Sequence, residues 1–103
     1  KKIVILLDNE FQAFQRDELV TFCKDADLLI WDGMFTKDEL RTKVGWGHSS
    51  IGQAVEFTKT SKVRKTLICH HAPYRCDTDI DELRSKLSSK RIEFGYETMS
   101  FFV

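Results

Sequence analysis

KIVILL (2–7) is a continuous run of β-branched and leucine residues with no period of two. A strand with one wet face alternates apolar and polar residues, so an unbroken run predicts a strand covered on both faces. DLLIWDGMF (27–35) repeats the pattern and VRKTLICH (63–70) supplies a third buried strand. The intervening stretches carry helical spacing instead. QRDELVTFCKDA (15–26) sets Leu19, Phe22 and Cys23 on one side, with Asp17 and Glu18 early, and predicts a helix of about three turns. In VGWGHSSIGQAVEFTKT (44–60), Ser50 and Gln53 have capping-box spacing, and Ile51, Ala54, Val55 and Thr58 share a face; His48 stands just before the first turn. DTDIDELRSKLSSK (77–90) begins acidic, ends basic and turns Ile80, Leu83 and Leu87 inward. RIEFGYETMSFFV (91–103) alternates through Ile92, Phe94 and Tyr96 and predicts closing strands or a hairpin. Strands alternating with helices imply an α/β layered sheet, in which ligands gather where strands end in loops.

At 103 residues with one proline and no Gly/Ser-rich linker, the chain has the size of one small domain, and marginal stability is expected of it alone. Sixteen basic residues balance sixteen acidic ones, which argues against recognition of nucleic acid or an anionic membrane through bulk charge. Cys23, Cys69 and Cys76 make an odd count without C-x-x-C spacing, as suits a reducing cytosol. No apolar run approaches the roughly 20 residues needed to cross a bilayer, so the expectation is a cytoplasmic protein that does not enter membranes. A first strand that starts at once suggests a piece of a longer protein.

Each predicted strand ends in a residue that can do chemistry: Asp8, Asp32, and the pair His70-His71, with His48 in the loop before a helix. Consecutive strand residues point to opposite faces, so at most one of His70 and His71 is expected to aim at a shared site. Carboxylate and neutral imidazole together are ligands for zinc, manganese or iron, and an aspartate can bridge two ions. Asp8 and one of the two histidines are therefore the metal candidates. The plainer alternatives stay open. A strand-ending aspartate commonly caps a turn or helix, and His48 could bind backbone at the helix start. Trp31 and Trp46 suit a core or pocket wall. A zinc-thiolate site ranks well behind, because Cys69 lies inside a strand and no second thiolate pair is present.

Four pieces in this order, LLDNE (6–10), ADLLIWDGMF (26–35), GWGHSSIGQAVEF (45–57) and TLICHHAPYR (66–75), resemble the C-terminal half of the metallo-β-lactamase superfamily, in its ribonuclease Z-like and phosphodiesterase-like branch. The GHSS stretch before a helix and the paired histidine followed by proline are the most specific parts. The resemblance implies the C-terminal half of an αββα sandwich, a mixed sheet with helices packed on it. It makes Asp8 the residue that bridges two divalent ions (zinc, manganese or iron) and His71 the late histidine ligand, with His70 a neighbour. Asp32 and His48 match the pair in which the carboxylate orients a histidine that protonates the leaving oxygen; the branch more often has glutamate at the first position. The superfamily's H-x-H-x-D-H motif occurs nowhere in residues 1–103, so the resemblance covers a partial domain with two metal ligands. The implied function is a dinuclear hydrolase of phosphodiester bonds, with a small-molecule or nucleotide substrate, inactive as this piece. The alternative is a non-catalytic binding or assembly module, which pairs with the missing N-terminal half or with a second copy of itself.

Overall fold

The computed structural model describes residues 1–103, and in it the apolar runs become parallel strands: β1 (Ile3–Leu6), β2 (Leu28–Asp32), β3 (Thr66–Cys69) and β4 (Ile92–Phe94). They pair in sequence order, β1-β2-β3-β4, with every neighbouring pair parallel. The four helices are α1 (Arg16–Phe22), entered through a 3-10 turn at Ala13–Gln15, then α2 (Lys37–Leu40), α3 (Ile51–Thr60) and α4 (Asp77–Leu87). Parallel neighbours need a crossover, and crossovers are right-handed. Because each connection here steps the same way along the sheet, the helices all collect on one face.

The side chains follow that geometry. Val4, Leu29, Trp31, Ile68, Ile92 and Phe94, one parity of the four strands, join Phe11, Cys23, Ile51, Ala54 and Phe57 in a single core. Phe11, Trp31 and Phe57 form its aromatic centre, with ring centroids 5.2–5.7 Å apart. The Trp31 indole N–H would be stranded there, but it donates to the Ser50 carbonyl at 3.1 Å. That contact also fixes the start of α3, where Ser50 and Gln53 make the expected capping box, and a cap of this type is worth about 1 kcal/mol.

The opposite parity is largely bare. Ile3 and Ile5 are 52% and 61% exposed, so KIVILL is not covered on both faces as its composition predicts; β1 is an edge strand with helices on one side only. Phe101 and Phe102 return beside Leu28 and Lys65 on this second face, with the Lys65 amine 5.2 Å from the Phe101 ring centre. Leu28 and Leu67 are buried while Ile3 and Ile5 are not.

Three other expectations change. The sheet expected to be mixed is parallel across all four strands. The closing hairpin reduces to β4 alone, because Gly95 bonds back to the Ile68 carbonyl at 2.7 Å and the chain then turns at Thr98, whose φ is 67°. The first helix is shorter than 15–26: it ends at Phe22, and Asp25 takes a left-handed φ of 60° that leads straight into β2.

Candidate metal centre and its proton-transfer pair

The C-terminal ends of β1, β2 and β3 lie side by side, because Leu6 pairs with Trp31 and Asp32 pairs with Cys69. Asp8, Asp32 and His70 leave those ends, and His48 enters from the loop before α3. One ligand atom from each of Asp8, Asp32, His48 and His70 can be chosen so that all lie within 4.8 Å of one another. Residues separated by as many as 62 positions in the chain are thus one cluster.

Asp32 is its centre and is 1% exposed. Its Oδ1 accepts from the Met34 backbone N–H at 3.1 Å, which fixes the carboxylate as β2 turns into Gly33. Its Oδ2 lies 2.9 Å from His48 Nδ1 and 3.3 Å from His70 Nδ1. An ionised carboxylate only accepts, so the His48 tautomer with the proton on Nδ1 satisfies this contact and leaves Nε2 free to exchange protons. The pair named from the resemblance is in contact. Phe35 meets the His48 ring edge-on at 6.0 Å between centroids and closes one side of it.

The two adjacent histidines part company. His70 has φ 57°, a left-handed conformation rare for a residue with a Cβ, and this swings its imidazole into the cluster. Its Nε2 stands 3.8 Å from Asp8 Oδ1 and its ring centre 5.1 Å from that of His48. His71 goes elsewhere: its ring stacks on Phe94 at 6.0 Å with planes 6° apart. Burial lowers the proton affinity of His71, an effect the Gly95 backbone opposes. The cluster thus takes in His70 and leaves out His71, the histidine to which the resemblance gives the ligand position. The physical reason is the backbone inversion at residue 70, which strand alternation does not anticipate.

Asp8 is also left-handed, at φ 48°, and its side chain is 77% exposed. It stands 3.8 Å from both His48 Nδ1 and His70 Nε2. The donors fit a cation. His70 Nδ1 is buried without an aligned hydrogen-bond partner although Asp32 is near, and the Asp8 oxygen with the His70 nitrogen forms the mixed donor set of zinc, manganese or iron. Ligand bonds of about 2.0–2.2 Å are compatible with donors 3.8 Å apart. None of Cys23, Cys69 and Cys76 joins this group and all three are free thiols, which removes the zinc-thiolate alternative from this site.

The loops that carry these residues are tied to one another. Glu39, third residue of α2, accepts from the Thr36 backbone at 2.8 Å, the Tyr74 hydroxyl at 2.6 Å and the Arg75 guanidinium at 2.7 Å. Arg75 also donates to the Met34 carbonyl at 2.9 Å. The segment after Asp32 and the segment after His70-His71 are thereby held together. Burial alone would raise the Glu39 pKa, but the Tyr74, Thr36 and Arg75 donors outweigh it and hold the carboxyl at about 2. This network escaped sequence reading; Thr36 and Glu39, spaced as a capping box, are the one signal that could have marked its start.

No protein-family model matches the chain. No curated protein matches it either. Among solved structures, a diphosphatase of the PhnP family superposes with a TM-score of 0.71 at 17% sequence identity, over 99% of this chain and 36% of that one. The chain thus spans little more than a third of that neighbour's length. The likeness shows the fold alone: an α/β arrangement with a four-stranded parallel sheet, as in the matched part of that diphosphatase.

Proposed function

We propose that residues 1–103 are the C-terminal half of a metal-dependent hydrolase that cleaves phosphodiester bonds. The observation that carries this is the His48–Asp32 contact of 2.9 Å standing beside an Asp8 and His70 donor pair. The neighbouring diphosphatase fold supports the reaction class. Asp8 and His70 would hold divalent ions, zinc, manganese or iron, together with donors from an N-terminal half. Bound ions supply positive charge that polarises the phosphoryl oxygens and eases deprotonation of water. Asp32 orients His48 through Nδ1 and stabilises its imidazolium, so that Nε2 gives a proton to the departing oxygen. Burial of Asp32 keeps water from competing for that contact. The substrate is a small phosphodiester or nucleotide.

The test uses a protein that includes both this segment and its N-terminal half, assayed with added zinc or manganese on an unactivated dinucleotide phosphodiester, whose alkoxide leaving group needs a proton. His48→Ala is expected to lower kcat by about 10²–10⁴-fold, the worth of a general acid, with metal content unchanged. Unchanged kcat in that variant would sink the assignment.

A second function, assembly through the sheet, is favoured by the exposed Ile3 and Ile5 on the face without helices. Two isoleucines in water on an open sheet face are a surface that a partner would cover. Here the histidine cluster would be structural, and His48→Ala would change stability but no rate.

A further inference from the structure

We infer that Glu10 is the positioning residue for His48: its carboxylate locks the 44–49 loop to the loop that follows β1, and so presents His48 to Asp32. This rests on the proton-transfer role proposed for His48, but its geometry stands independently. His48 belongs to no helix or strand, and a loop without such support is the mobile part of a domain. Gly45 and Gly47 adopt φ of 89° and 86°. Those left-handed turns aim their N–H groups at one point, a concavity of the kind that binds anions. Here the anion is internal: Glu10 accepts from Gly45 at 2.8 and 3.0 Å and from Gly47 at 2.9 Å. Gln12 donates to the other side of the same carboxylate at 2.9 Å.

The far side of His48 is tied to the same segment. The Ser49 hydroxyl donates to the Asn9 carbonyl and accepts from the Phe11 N–H at 2.9 Å. His48 is therefore bracketed by bonds to residues 9, 10 and 11, directly after Asp8. The candidate metal ligand and the candidate proton donor ride on one rigid unit, although 40 positions separate them in sequence.

Amide hydrogen exchange of Gly45 and Gly47, together with the proton resonance of His48 Nδ1–H, reads the clamp without metal or substrate. Glu10→Ala is expected to speed exchange at both glycines about tenfold or more, since hydrogen bonds to a charged group are worth at least that factor. It should also broaden or abolish the Nδ1–H resonance and move the His48 ring protons away from the shift imposed by Phe35. Glu10→Gln keeps one carbonyl oxygen for both amides and is expected to retain most of the signature. If Glu10→Ala does not fold, Gly47→Ala breaks the clamp from the loop side: an added Cβ there meets nothing within 4 Å, so only the left-handed backbone resists it. Its expectation is the same. An unchanged His48 signature in Glu10→Ala or Gly47→Ala would overturn the inference, and so would equal loss in Glu10→Gln and Glu10→Ala, because the effect would then be one of charge rather than position. The clamp present, with no hydrolysis by the protein that also includes the N-terminal half, would refute the hydrolase proposal and leave the clamp standing.

Discussion

At the scale of single residues, chemistry at the sheet's end depends on two backbone inversions. Asp8 and His70 both have positive φ, and each carries its donor atom into the cluster because of it. A left-handed non-glycine costs about 1–3 kcal/mol, offset here by the structure on either side. His70→Ala is therefore expected to abolish metal retention, and His71→Ala to spare it while lowering thermal stability through loss of the Phe94 stack. Metal content by mass spectrometry of the two variants decides between them, and loss of metal in His71→Ala alone would reverse the placement. Gly33 shows the opposite constraint. A Cβ at that position would stand 2.2 Å from Ile68 Cγ2, inside the sheet. Gly33→Ala should cost about 1–3 kcal/mol as an overpacked core, measured as a lowered denaturant midpoint. Asp8, Asp32 and His48 are recognisable in the sequence because their types follow apolar runs or precede a helix. The choice between His70 and His71 is not, since φ at residue 70 is set by the turn that joins β3 to the Ala72-Pro73 loop.

At the scale of elements, α3 could be read from its capping box and the three long strands from their runs. α2 shows no periodicity in the sequence, because a helix of four residues has too little length for one. Yet α2 presents Glu39, which ties the loop after β2 to the loop after β3. The consequence is a dependence on pH. The Glu39 carboxyl is held at about 2 against an ordinary value of 4.5, so the folded state favours its ionised form. A depressed carboxylate contributes stability that is fully present above the unfolded pKa and is lost as pH falls through the folded one. Thermal unfolding followed from pH 6 down to pH 2 should accordingly show a loss in the window from about 4.5 to about 2. Glu39→Gln should be less stable than the parent at pH 6, with the gap closing toward pH 2. A gap that stays constant across that range would mean that Tyr74 and Arg75 hold the loops without the charge.

At the scale of the whole molecule, the decisive fact is that every crossover steps the same way. Four parallel strands in sequence order put all helices on one face, and the apolar residues of the other parity are left to the C-terminal segment or to water. The composition of KIVILL anticipates two covered faces, and in the structure one of them is open. The PhnP-family neighbour is much longer than the matched region, since the match covers 36% of it. On this face Ile3 and Ile5 stand exposed, and cover would contribute about 1.5–3 kcal/mol for each side chain fully buried. As an isolated chain, residues 1–103 should therefore associate through this face as concentration rises. The double variant Ile3→Lys/Ile5→Lys should remain monomeric over the same range, with stability within about 0.5 kcal/mol per substitution because neither side chain belongs to the core. Light-scattering mass after size exclusion, beside a thermal melt, separates the cases. Association that survives both lysines would place the contact elsewhere, and a monomeric parent would mean that the Phe101–Phe102 segment already shields enough of the face.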